Sequence, residues 1–127
     1  MGHSEQQFEL AATACPERRY RLFLRQSLSN PDVFSVGLSL TLPDADWTLC
    51  RYNSAHHGHR NVLEKEKIPP TFHQHLLVAR YVAAKLEKRG YAVTRSEYNS
   101  FEGALALLVD ECNVHNVLKH SSQQTLF

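Results

Sequence analysis

Five of the chain's eight histidines, His56, His57, His59, His73 and His75, fall within one twenty-residue stretch. Four of them form two HxH pairs, His57-Gly58-His59 and His73-Gln74-His75. In an extended backbone, residues two apart point to the same side, so each pair can present two imidazoles together. An imidazole whose pKa stays near its usual value of about 6.5 can serve as base or acid around neutrality, or as a metal ligand. Cleavage of an RNA phosphodiester needs a base for the 2′-hydroxyl, an acid for the leaving oxygen and a cation for the charge on the phosphorane. His57, His59, His73 and His75 with Arg60 supply those types, and Arg21, Arg25, Arg51 and Asn61 are the candidate substrate-binding residues around them. Isolated histidines are mostly structural or surface groups, but this density beside a strand end favours a site.

Metal ligation is the competing use of the same residues. Two HxH pairs offer up to four neutral nitrogen ligands to zinc, nickel, copper or iron, but no thiolate or clear carboxylate partner lies in the segment. Glu64 and Glu66 fall in a charged stretch and read as solvated. The expectation is therefore no metal and no cofactor, with a histidine-ligated metalloenzyme as a third reading.

The elements that must position these residues follow from periodicity. Phe8, Ala11, Ala12 and Cys15 repeat at helical spacing before Pro16 and predict an N-terminal helix over 5–15. Arg19 to Leu28 alternates as a half-buried strand, with Arg19, Arg21 and Arg25 on the polar side, where they form either a phosphate-binding stripe or simply a solvated face. Phe34, Val36, Leu38, Leu40 and Leu42 alternate with small polar residues and predict the next strand. Trp47 to Tyr52 predicts a third, leading directly into the first histidines, and after a charged loop from Leu63 to Pro70 a short fourth strand covers Thr71 to Leu77. In that strand Phe72 and Leu76 share a parity opposite to His73 and His75, which turns the histidines away from the core.

Val78, Tyr81, Val82 and Leu86 predict a helix over 78–89 stopped by Gly90, and Asn99 with Glu102 resembles a capping box ahead of a last helix carrying Phe101, Ala104, Leu105, Leu108, Val109 and Cys112. Tyr81 and Phe101 read as core residues, and Tyr98 as a hydrophobic staple or, in second place, a phenol aimed at the site. The predicted fold is α+β: an N-terminal helix, an antiparallel β-meander of about four strands, and two C-terminal helices packed on the sheet, in a single domain over 1–127 with 1–3 and 119–127 frayed.

Composition narrows the partners. With 127 residues, 43% hydrophobic and 21% charged, the chain suits one globular domain. No apolar run reaches the length of a membrane span and no secretory signal is evident, so the expected location is cytoplasmic. Cys15, Cys50 and Cys112 are widely spaced with no CxxC pair and read as reduced structural residues. Fourteen basic against thirteen acidic residues give a formal charge of +1, so no global field draws in a polyanion, although a local patch can.

The run Leu49-Cys50-Arg51-Tyr52-Asn53, then His56-His57-Gly58-His59-Arg60-Asn61, then Phe72-His73-Gln74-His75 resembles small prokaryotic and phage-associated domains similar to TumE-type toxins of toxin–antitoxin modules. The likeness covers about half the chain, from Arg19 to His75. It implies a role in bacterial or prophage conflict with an activity directed at RNA. The element order also resembles the barnase, EndoU, colicin and RelE group of ribonucleases, from which the two trailing helices and the near-neutral charge depart. The leading expectation is a toxin-like, metal-independent endoribonuclease. The alternative is a non-catalytic protein-binding module of a phage or toxin–antitoxin system, acting as an inhibitor or an antitoxin partner. RNA, a cognate antitoxin or other protein, and a second copy in a homodimer are the partners these readings allow, with no membrane.

Overall fold

The computed structural model describes residues 2–115. In chain order its elements are β1 (His3–Ala11), β2 (Arg19–Ser27), β3 (Phe34–Thr41), β4 (Asp46–Asn53), β5 (His59–Asn61), β6 (Glu66–Ile68), β7 (His73–Leu76), α1 (Ala79–Ala83), β8 (Tyr91–Thr94) and α2 (Phe101–Glu111). Six strands make one antiparallel sheet in the order β1-β2-β3-β4-β7-β8, and β5 and β6 form a separate hairpin. The molecule is mostly β, which corrects the α+β expectation.

The predicted four-strand meander is present as β2-β3-β4-β7 at the centre of the sheet. Each of these strands has a period-two pattern, and the registers bring like faces together: Leu22 opposes Leu38, Leu24 opposes Val36, and Val36 opposes Tyr52. One face is thus apolar and receives α2, whose Ala104, Leu105 and Leu108 pack on Phe8, Leu22, Leu24, Val36 and Tyr52. Leu22, Val36 and Leu108 are completely buried, each stabilising the fold by roughly 1.5–3 kcal/mol. Helix α2 begins where Ser100 Oγ accepts a hydrogen bond from the Gly103 N–H at 3.0 Å, so Ser100, not Asn99, is the cap.

Two of the three expected helices are corrected. Residues 5–15 form no helix; β1 pairs with β2 over nine residues and sends Phe8 into the core. A helical stripe of Phe8, Ala11, Ala12 and Cys15 is mostly small side chains and buries little, whereas the strand gains a full ladder and the same phenylalanine contact. The helix expected over 78–89 is only the five-residue α1, followed by turns. Lys85 adopts a left-handed φ of 60°, Leu86 N–H reaches back to Tyr81 O at 2.8 Å, and the chain enters β8, a strand the sequence reading missed. The charged loop over 63–70 contains β6. At the ends, His3 belongs to β1, and 119–127 lies outside the described residues. No helix among the described residues is long and apolar enough to cross a membrane.

Candidate functional site

The sheet face opposite α2 gathers the candidate arginines and histidines. Directly opposed residues share a face, so the registers define two rows across it: Arg25, Ser35, Asn53, His73 and Thr94 in one, and Phe23, Gly37, Arg51, His75 and Ala92 in the next. The expectation that His73 and His75 turn away from the core is met, although His73 is itself only 2% exposed. The arginine stripe of β2 and the histidines of β7 thus reach one surface through the small residues Ser35 and Gly37.

Two hollows open on this face, with Arg51 lining both. One, of about 250 Å³, is lined by Arg25, Arg51, Asn53, His57 and His73, together with His3 and residues of the β3 start, and no carboxylate lines it. The other, of about 380 Å³, is lined by Arg51, His75, Lys88, Glu87, Asp46 and neighbouring residues. The Arg51 Nε is buried with no hydrogen-bond partner. Burial lowers the pKa of its guanidinium, and the nearby Arg25 lowers it further, so a cation is held here without a compensating anion.

The histidine tautomers follow from their partners. A carbonyl can only accept, so the 2.7 Å contact between His73 Nδ1 and Thr71 O places the proton on Nδ1 and leaves the Nε2 lone pair to accept a long hydrogen bond of 3.4 Å from Asn53 Nδ2. Burial holds the His73 pKa below its usual value; the Thr71 carbonyl opposes this shift, while His59, Arg51 and His57 reinforce it. His75 is pushed down to about 3, by burial first and then by Arg51, His59 and His73. Its ring lies edge-on between those of His59 and His73, with centroids 4.6 and 5.2 Å away. A shift in this direction favours the neutral ring near neutrality, which suits His75 less to the role of general acid than to that of base or neighbour.

His59 is anchored, its Nε2–H donating to Gly90 O at 2.9 Å. Gly90 has a φ of +76°, and a Cβ there would sit 3.2 Å from His75 Nδ1, so both its backbone and its closeness to the ring favour glycine. His57 borders the smaller hollow. Arg60 is exposed on the β5–β6 hairpin and lines neither hollow. Arg21 is committed to an ion pair with Asp46.

Asn61, expected among the substrate-binding residues, is placed as a brace away from both hollows. Completely buried, it accepts from the Ala92 N–H at 2.8 Å and donates to Ala92 O at 2.8 Å and to Glu66 Oε1 at 3.0 Å. Its amide completes the edge of β8 as another strand would and docks the β5–β6 hairpin. Glu64 is held by Arg80 at 2.6 Å and by Tyr81 Oη at 2.5 Å. Neither glutamate is therefore free for the histidines, and no group of three or more histidine, cysteine, aspartate or glutamate side chains among the described residues is arranged to hold a metal ion.

Two further residues sit beside the histidines, and of these sequence reasoning missed Asn53. Asn53 continues the parity of Arg51, a signal that extending the period by one step would have found. Tyr98 is no staple: its hydroxyl lies 2.7 Å from Asn53 O and 3.0 Å from His73 O, tying together the backbones of the two strands beneath the smaller hollow. Nothing local in the sequence signals that bond, which spans 45 residues to Asn53. No family model matches the chain, and no curated protein or solved structure matches it.

Proposed function

We propose that the smaller hollow binds a phosphodiester of single-stranded RNA and cleaves it without metal. The supporting observation is the half-buried Arg51, whose Nε is buried without a hydrogen-bond partner, sharing a carboxylate-free hollow with Arg25, His57 and His73. A half-buried cation with an unsatisfied Nε–H is relieved by an anionic ligand, and the planar fork of arginine suits phosphate. His73, protonated on Nδ1 and neutral near pH 7, takes the 2′-hydroxyl proton on Nε2 as O2′ attacks phosphorus. His57, in its cationic form, gives a proton to the departing 5′-oxygen. Arg51 and Arg25 neutralise the phosphorane. The products are a 2′,3′-cyclic phosphate and a 5′-hydroxyl. His59 and His75 act as positioning residues, and Arg60 takes no part.

Incubating the protein with an end-labelled RNA oligonucleotide, with and without chelator, tests this. Cleavage to cyclic-phosphate ends is expected to persist with chelator, to fall by roughly 10²-fold or more in His57→Ala and in His73→Ala, and to vanish when the nucleotide 5′ of the break is 2′-deoxy. Intact RNA at equimolar protein, or cleavage that survives both alanine variants, would overturn the proposal.

A second reading rests on β1, a nine-residue strand at the edge of the sheet with mostly exposed side chains. Its outer row of peptide groups suits addition of a strand from a partner protein, as an inhibitor or antitoxin pair would require. Proline at Gln6 or Glu9, whichever has its N–H on the outer side, separates the two: complex formation is lost and RNA cleavage kept if β1 is the docking edge.

A further inference from the structure

On the helix-covered side of β4, Cys50 Sγ lies 3.7 Å from Cys112 Sγ, and both cysteines are free. The two belong to different elements, Cys50 to β4 and Cys112 to the C-cap of α2, and are 62 residues apart in sequence. A disulfide has a sulfur–sulfur distance of about 2.05 Å, so side-chain rotation has only a short gap to close. The surroundings make the sulfurs unequal. Cys112 is partly exposed whereas Cys50 is 7% exposed, so an oxidant reaches Cys112 first. The hydrogen bond between the two thiols, in which either can donate, lowers the Cys112 pKa and raises that of Cys50.

We propose that Cys112 and Cys50 form a peroxide-oxidised, thiol-reducible disulfide, with Cys112 as the attacking and Cys50 as the resolving sulfur. The Cys112 thiolate attacks one oxygen of a peroxide; the O–O bond breaks, the other oxygen leaves as hydroxide or alkoxide and takes up a proton, and Cys112 becomes a sulfenic acid. Cys50 sulfur then attacks the Cys112 sulfur, the S–O bond breaks, and the Cys50 proton leaves with the oxygen as water. Two thiols are oxidised by two electrons and one peroxide is reduced. The bond ties β4 to the end of α2 beside the Tyr52–Glu111 hydrogen bond of 2.6 Å. Cys50 and Tyr52 flank Arg51 on the same strand, so oxidation stiffens the strand that carries the cationic hollow on its other face.

The test uses the full chain with Cys15→Ser, so that only this pair reports. After hydrogen peroxide at low molar excess, both remaining thiols should be lost, the intact mass should fall by about 2 Da, and digestion should yield one Cys50–Cys112 linked peptide. Closing so long a loop should also raise Tm by about 10 °C, and dithiothreitol should reverse every change. A further Cys112→Ser change should leave Cys50 reduced under the same treatment. Accumulation of Cys112 sulfinic or sulfonic acid without the linked peptide, two unreacted thiols, or equal reactivity of Cys50 in the Cys112→Ser protein would each overturn the proposal.

Discussion

Replacing Arg51 with methionine should stabilise the fold while weakening its hold on anions. The Arg51 Nε is buried without a partner, and the guanidinium sits near Arg25, His73 and His75 with no carboxylate lining the smaller hollow. A buried donor left unsatisfied costs roughly 1–3 kcal/mol, and exchanging buried charge for an apolar side chain of similar volume is often neutral or favourable by about 1–4 kcal/mol. Methionine keeps most of the volume and adapts to irregular gaps. The expected gain is about 1–2 kcal/mol, seen as a urea midpoint higher by about 1 M with an unchanged slope. In the opposite direction, one charge-assisted contact to phosphate contributes roughly 1.5–3 kcal/mol, so affinity for a short single-stranded oligonucleotide should fall by roughly ten- to a hundredfold, and its log–log salt slope by about 0.7. Phosphate or sulfate should raise the Tm of the native protein more than that of the variant. If the methionine protein is destabilised by more than about 1 kcal/mol while oligonucleotide affinity and salt slope stay put, Arg51 is a packing residue and the reasoning about an uncompensated cation fails.

Acidification should destabilise the protein across the histidine range. The folded pKa of His75 is about 3 and that of His73 is also lowered, so between their unfolded value of about 6.5 and pH 3 the unfolded chain binds more protons; the stability from keeping them neutral is complete above about 6.5 and is lost as pH falls. After discounting for residual solvent access, the loss between pH 6.5 and 3 is on the order of 3 kcal/mol, and His75→Gln should flatten that slope in urea titrations; an equally steep slope in the variant contradicts the assignment. Asn61→Ala orphans the buried N–H and C=O of Ala92 and should cost about 3 kcal/mol by urea denaturation, whereas a cost under about 1 kcal/mol would mean that the hairpin is not braced there. Gly37→Ala should cost about 2 kcal/mol, because its Cβ would come within 2.2 Å of the Phe23 ring and 2.8 Å of Cys50 O; a neutral result would show that β2 and β4 yield easily at that row.

The parts of the fold legible in the sequence are those whose polarity alternates on a surface with one wet face. β2, β3, β4 and β7 qualify, and the parity of Leu76 against His73 and His75 placed both imidazoles on the open face. β1 was misread because Phe8, Ala11, Ala12 and Cys15 satisfy a helical period while the pairing that decides its state lies in β2, a separate element. Apolar spacing over Val78 to Leu86 is met as well by one short helix and a back-bonded turn, and the left-handed Lys85 that ends the helix leaves no local signature. The β5–β6 hairpin is three polar-rich residues on each side, too short for any period, and Asn61 finds its partner Ala92 31 residues away. Residue types at the site were therefore readable, but which histidine borders which hollow was not, since His59 is placed by Gly90 and His73 by Thr71.

A formal charge of +1 looks ill suited to holding a polyanion, but the placement of the acids resolves the conflict. Asp46 is engaged by Arg21, Glu64 by Arg80, and Glu97 and Glu111 by Arg95. Glu5 lies 3.9 Å from Arg25 at the exposed margin of the smaller hollow, and Asp46 and Glu87 line the larger hollow that Arg51 shares. Surface pairs of this kind contribute little stability, but each removes a carboxylate from the field that an incoming phosphate would feel. Net charge counts these neutralised pairs equally with Arg51, whereas a ligand responds to local potential, which is screened beyond about 8 Å at physiological salt. A near-neutral protein can therefore present one concentrated cationic hollow, which draws little on a polyanion at long range and meets it only at contact. The association rate with RNA should accordingly depend on salt less steeply than it does for a uniformly basic nuclease.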